Sequence, residues 1–156
     1  MINNDILRRV RYALNINDSA MIEIFKQADY QMPIPELVRL LKKDDEPGFV
    51  ECSDIIMEYF LNGLIYSRRG KIESKQGQEK NPASQLSNNT ILKKLRIALE
   101  LREEDMLDIM ELSDMKVSKS ELTALFRKEG HKNYKDCGDQ FLRNFIKGIT
   151  IRFRSI

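Results

Sequence analysis

Histidine occurs once, at His131, and cysteine only at Cys52 and Cys137, in a chain of 156 residues. A single imidazole, with no base near either thiol in sequence, argues against nucleophilic or general acid–base catalysis. No glycine-rich phosphate loop or metal-ligand spacing is present either. Asp44, Asp45 and Glu46 resemble half of a hard-cation site, but the ligand spacing and glycine of a calcium loop are missing. The expectation is a protein without catalytic residues, metal or cofactor. Long apolar runs are also lacking: none approaches the ~18 residues of a membrane-spanning helix. The polar opening Asn3-Asn4-Asp5 does not suit a signal peptide. The chain is therefore expected to be cytoplasmic, with no membrane partner and with its thiols reduced. Cys52 and Cys137 read as small buried residues on helix faces. Asp54 and Asp139 follow them by two positions, which point in different directions on a helix, so neither Cys/Asp set makes a dyad by itself.

What the chain does contain is itself, twice. NNDILRRVRYALNI at Asn3 to Ile16 returns as NNTILKKLRIALEL at Asn88 to Leu101, and the offset of 85 holds to the end without a gap. Ile6, Leu7, Arg11, Ala13 and Leu14 fall on Ile91, Leu92, Arg96, Ala98 and Leu99; Cys52, Asp54, Phe60, Gly63 and Arg69 fall on Cys137, Asp139, Phe145, Gly148 and Arg154. Two copies point to a pseudo-symmetric pair, because a solenoid needs at least about three. Units near 70 residues bury only roughly 60% of their unfolded surface, so the copies are expected to pack on each other. The organisation expected is a first repeat over 1–70, a polar linker over 71–87 and a second repeat over 88–156. At ~3.3 Å per residue that linker reaches about 56 Å, which leaves the arrangement of the copies open.

The apolar spacing predicts four helices per copy. Helix one starts at Asn3 or Asn4, residue types that accept backbone N–H bonds at a helix start, and carries Ile6, Leu7, Val10, Ala13 and Leu14 on one stripe. Helix two, about Asp18 to Asp29, buries Met21, Ile22, Ile24, Phe25 and Ala28, and its copy buries Met106, Leu107, Ile109, Met110 and Leu112. Helix three opens on Pro33 and Pro35 in copy one, and on the capping box Ser118 to Glu121 in copy two. Helix four runs from about Val50 to Ser67 and ends at Arg68, Arg69 and the C-cap Gly70. Gly63 and Gly148, in mid-helix, cost roughly 1 kcal/mol each relative to alanine. Close approach of a neighbouring backbone would offset that. The fold class is all-α: a duplicated four-helix unit, about eight helices, related by an approximate two-fold.

With Asn3-Asn4-Asp5-Ile6-Leu7, the loop Lys42 to Phe49 (KKDDEPGF), Cys52 with Asp54, and Phe60-Leu61-Asn62-Gly63-Leu64-Ile65 in order, the sequence resembles the YehS-like bacterial family. Members are short cytosolic proteins made of two copies of one domain of unknown function, so the resemblance implies the duplicated fold and supplies no activity. It covers both copies and leaves the linker outside. Copy two departs from the pattern at Lys132-Asn133-Tyr134, which replaces Pro-Gly-Phe, and at Phe145-Ile146-Lys147-Gly148. A function resting on the charged loop or the Asn62-Gly63 step would then belong to the first copy alone.

Two binding roles follow from charge and periodicity. Net charge is +2, but residues 1–70 carry 9 basic and 11 acidic side chains against 14 and 11 over 88–156, a mild pointer to an anionic partner for copy two. Helices two and three of that copy have the apolar spacing of a helix-turn-helix, and Lys116, Lys119, Arg127, Lys128 and Lys132 would supply phosphate contacts. Against this, the turn holds Lys116 rather than glycine, and Leu112 is large for the helix contact. Ordinary helical hairpins share the same spacing. The favoured expectation is a protein-interaction or assembly role, with an unknown protein partner or self-association; nucleic-acid binding through the Lys116–Lys135 segment is the alternative.

Overall fold

A computed structural model describes residues 1–70 and 86–154. These form eight helices: α1 (Asn3–Ala13), α2 (Asp18–Gln27), α3 (Ile34–Leu40), α4 (Asp54–Arg69), α5 (Asn88–Ala98), α6 (Glu103–Leu112), α7 (Lys119–Leu125) and α8 (Asp139–Arg154). No strand occurs among the described residues. Most of the proposed linker, residues 71–85, lies outside them.

Within each copy the long fourth helix packs on the second, α4 on α2 and α8 on α6. Glycine makes both crossings work. A Cβ on Gly63 would overlap the carbonyl oxygen of Ile24 and lie 2.8 Å from its carbon; a Cβ on Gly148 would meet the carbonyl of Ile109 in the same way. The cost of a mid-helix glycine is thus offset by the close approach of a neighbouring backbone, as expected from sequence.

Between copies the first helix reaches across. α1 lies mainly on α8, and α5 mainly on α4, so the two units exchange the same contact and are related by an approximate two-fold. One core runs through both: Phe60 and Phe145 are each fully buried, and Leu14 and Leu99 are each half-buried against it.

Asn3 and Asn4 do not cap α1, contrary to the sequence expectation: the N-cap is Ile2, with no side-chain bond. Their amides instead hold the segment before α4. Buried Asn4 donates to the carbonyls of Leu40 (3.0 Å) and Val50 (2.9 Å) and accepts from Cys52 N (2.8 Å). Asn3 donates to Cys52 O and to Asp54 Oδ1. Asn88 and Asn89 repeat every one of these bonds on Leu125, Lys135, Cys137 and Asp139. Because 50–53 is held extended in this way, α4 begins at Asp54 rather than Val50, capped by Ser53. Cys52 is buried as expected, but on that extended segment rather than on a helix face. Leu112, expected inside, is 43% exposed; it ends α6, where its copy-one counterpart is the polar Gln27.

Helices one, two, five and six end without glycine. Asn15, Asp29, Glu100 and Asp114 take positive φ, at matching positions of the two copies. The amides of the following residues reach back to Arg11, Phe25, Arg96 and Met110, closing each helix with the bond of a Schellman turn. The capping box expected at Ser118 and Glu121 is present, as is Gly70 at the end of α4, with φ 90°.

Candidate nucleic-acid interface

The reciprocal packing creates two equivalent faces, one along α1 and α8 and one along α5 and α4. On the first, a groove of about 540 Å³ is lined by Arg8, Arg9, Tyr12, Arg143, Lys147 and neighbouring polar and apolar residues. A second cleft, adjoining it through Arg8 and Tyr12, adds Arg11, Asn15 and Arg154. No carboxylate lines either cleft. Arg8 and Arg11 are partnered nearby, by Asp5 (2.5 Å) and Asp18 (2.6 Å). Arg9, Arg143, Lys147 and Arg154 make no ion pair among the described residues; Arg143 donates to Gln140, and Arg154 to Asn15 and the Tyr12 carbonyl. The closest outside acid to Arg143 along α8 is Asp139, whose carboxylate is held below its ordinary range by the Met1 amine, by Asn88 and, more weakly, by Arg143.

The second face is built from the same positions and carries different charges. Lys94, the counterpart of Arg9, donates to Asn62 Oδ1 (2.7 Å) and pairs with Glu58 (3.8 Å). Glu58 and Asn62 stand where the first face has Arg143 and Lys147. Arg69, the counterpart of Arg154, pairs with Glu100 (3.5 Å), which replaces Asn15. Two carboxylates that neutralise one face are therefore missing from the other. The Asn62-Gly63 step, singled out in the sequence, divides into two structural tasks: Asn62 accepts from Lys94, and Gly63 lets α2 approach.

The five cations suggested by sequence lie elsewhere. Lys119 is on α7, Lys116 in the turn before it, and Arg127, Lys128 and Lys132 in the loop after it; all are exposed. Acidic groups are interleaved with them. Glu121 faces Lys135, and Lys116 and Lys135 share a cleft with Glu121 and Asp136. α7 has seven residues, about 10 Å of helix.

The match to known proteins is of the same extent as the duplication. The family model for a protein of unknown function (DUF1456) matches residues 3–70 and 88–155. The chain belongs to this family. A curated relative of this DUF1456 protein, named as an uncharacterised protein, YehS, from Escherichia coli K12, is 44% identical over 152 residues, covering 97% of this chain and 96% of its own. No solved structure matches.

Both cysteines and the acids Asp54 and Glu46 of this DUF1456 chain are tied into its framework. Burial, then Asp54, pushes the Cys52 thiol up to about 12; burial, then Asp139, does the same to Cys137. Asp54 accepts from Asn3 and from the Leu86 amide. Glu46 in the charged loop accepts from the Lys43 amide. Among the described residues no three His, Cys, Asp or Glu side chains converge on one point, and no helix is long and apolar enough to cross a membrane. The charge contrast between the faces was visible residue by residue in the sequence. It needed the knowledge that helix one lies on helix four of the other copy.

Proposed function

We propose that the protein is a non-catalytic, cytoplasmic binding module whose ligand is nucleic acid, held along the α1–α8 face. The observation that carries this reading is the contrast between equivalent positions. Arg9 faces Arg143 and Lys147 where Lys94 faces Glu58 and Asn62. Gathering like charges in one groove costs folding free energy, and an anionic ligand offsets that cost. The fold itself does not require the arrangement, since the second face is built without it. Phosphate contacts by cations release counterions and make affinity fall steeply with salt.

The reading predicts binding of a fluorescent oligonucleotide with a log–log salt slope of about −3, as four unpaired cations imply at ~0.7 to 0.9 per phosphate contact. Reversing Arg143 and Lys147 should abolish it, whereas reversing Lys119, Arg127 and Lys128 should weaken it less. Absence of binding in anisotropy titrations at 50 mM salt, or a larger loss from the second set, overturns the assignment to this face.

One observation favours a second reading, a protein-interaction or assembly role. On α3, Ile34 and Val38 are 57% and 44% exposed, one helical turn apart and near Val50, where copy two has Lys119, Thr123 and Lys135. Light scattering that finds a dimer dissociated by Val38→Lys supports this role; a strict monomer counts against self-association.

A further inference from the structure

Resting on that reading of the groove, we infer that its ligand is single-stranded nucleic acid and that Tyr12 is the platform on which a base stacks. Tyr12 is the most exposed large hydrophobic residue of the described chain, at 60%, and it lines both clefts of the face. The Arg154 guanidinium lies 4.1 Å from the ring centroid and covers one side of the ring. Arg154 is itself fixed by bonds to the Tyr12 carbonyl and to Asn15. The ring is thus held in place by Arg154 while the residue stays largely open to solvent. Its counterpart on the neutralised face is Ile97, half-buried, so the aromatic and the uncompensated cations occur together, on one face of the two.

Buried Ile146 and half-buried Ile151 line the groove beside Tyr12 together with Arg9, Arg143 and Lys147, so apolar surface and cations share one lining. A duplex offers phosphates to such cations but keeps its base faces stacked inside, leaving the ring unpartnered. A single strand offers both phosphates and base faces, the combination of cationic groove and aromatic platform that binds single strands without reading sequence. The lining residues run from Gln140 to Arg154, about 21 Å of α8 at 1.5 Å per residue. That length suits a strand of several nucleotides rather than one free nucleotide.

The test uses the full chain with three probes: a fluorescent single-stranded 15-mer, the same sequence as a duplex, and inorganic polyphosphate. The single strand should bind at least about tenfold more tightly than the duplex. Tyr12→Ala should weaken the single strand by roughly tenfold, within the range of one lost base–aromatic stack, and leave polyphosphate unchanged. Tyr12→Phe should keep the affinity. The chain has no tryptophan, so stacking also reads out as quenching of tyrosine fluorescence that Tyr12→Phe removes. Thermal melts of each variant report its folding. If duplex and single strand bind equally, or Tyr12→Ala binds like the parent while Arg143→Glu/Lys147→Glu does not bind, the single-strand inference is overturned and the groove remains. If no probe binds, or the double charge reversal changes nothing, both fall.

Discussion

Asn4 is one of two buried polar or charged residues in the described chain, and its amide satisfies three backbone groups from two separate segments. Asn4→Ala leaves two carbonyls and an N–H without their partner in or near the core. At ~1–3 kcal/mol for a buried unsatisfied group, partly relieved by water at the more open end, the loss should be about 2–4 kcal/mol by urea denaturation. Asn89→Ala should cost less, since Asn89 and its bond to Lys135 are more exposed. The sequence showed the Asn-Asn pair and its repetition but suggested a helix cap, because capping is the local use of Asn and the actual partners lie 36 to 51 residues away. At the same scale, Asp105 has its carboxyl held below the ordinary range, first by the Arg102 amide and then by Arg152. A lowered folded pKa adds stability that is complete above the unfolded value of ~3.9 and is lost as pH falls through the folded one. Stability of the parent should therefore decline on acidification below about pH 4 more steeply than that of Asp105→Asn; equal slopes in acid titrations followed by circular dichroism would remove the assignment.

Helix boundaries and crossings were legible to different degrees. The 3.6-residue period of α1, α2, α5 and α6 was legible because each keeps one buried stripe, the end of α6 at Leu112 excepted. The beginning of α4 was misplaced because Cys52, four residues before Ile56, extends the helical spacing backwards, while Asn4 holds the backbone of Val50 and Cys52 extended. The helix contacts at Gly63 and Gly148 were foreseeable in kind from the cost of mid-helix glycine, though not in partner. Gly148→Ala pushes a Cβ into the Ile109 backbone and should cost upwards of about 3 kcal/mol, at or beyond the usual range for overpacking. Gly138 precedes α8 where Ser53 caps α4, with nothing within 4 Å of an added Cβ. Gly138→Ser should instead gain a few tenths of a kcal/mol by supplying that cap. Equal effects of the two substitutions on Tm would mean that the crossing is looser than drawn.

For the molecule as a whole, duplication provides its own control. Both copies share the buried pattern, the asparagine bonds and the glycine crossings, so differences between equivalent positions stand out against a constant framework. The principal difference on the surface is that one inter-copy face has lost the counterparts of Glu58 and Glu100 and gained Arg143 and Tyr12. The helix-turn-helix pattern drew attention to Lys116–Lys132 because those cations are close in sequence. The groove cations come from helices some 130 residues apart, beyond the reach of any local window. The most direct measurement is the paired effect of Arg143→Glu at low salt, which copies the arrangement of Glu58 opposite Lys94 into the other face. Binding of a single-stranded oligonucleotide should fall at least about tenfold while Tm rises, because the added carboxylate relieves repulsion among Arg9, Arg143 and Lys147. An unchanged affinity, or a Tm that falls, would contradict an account in which this face keeps its charge for a ligand at the expense of the fold.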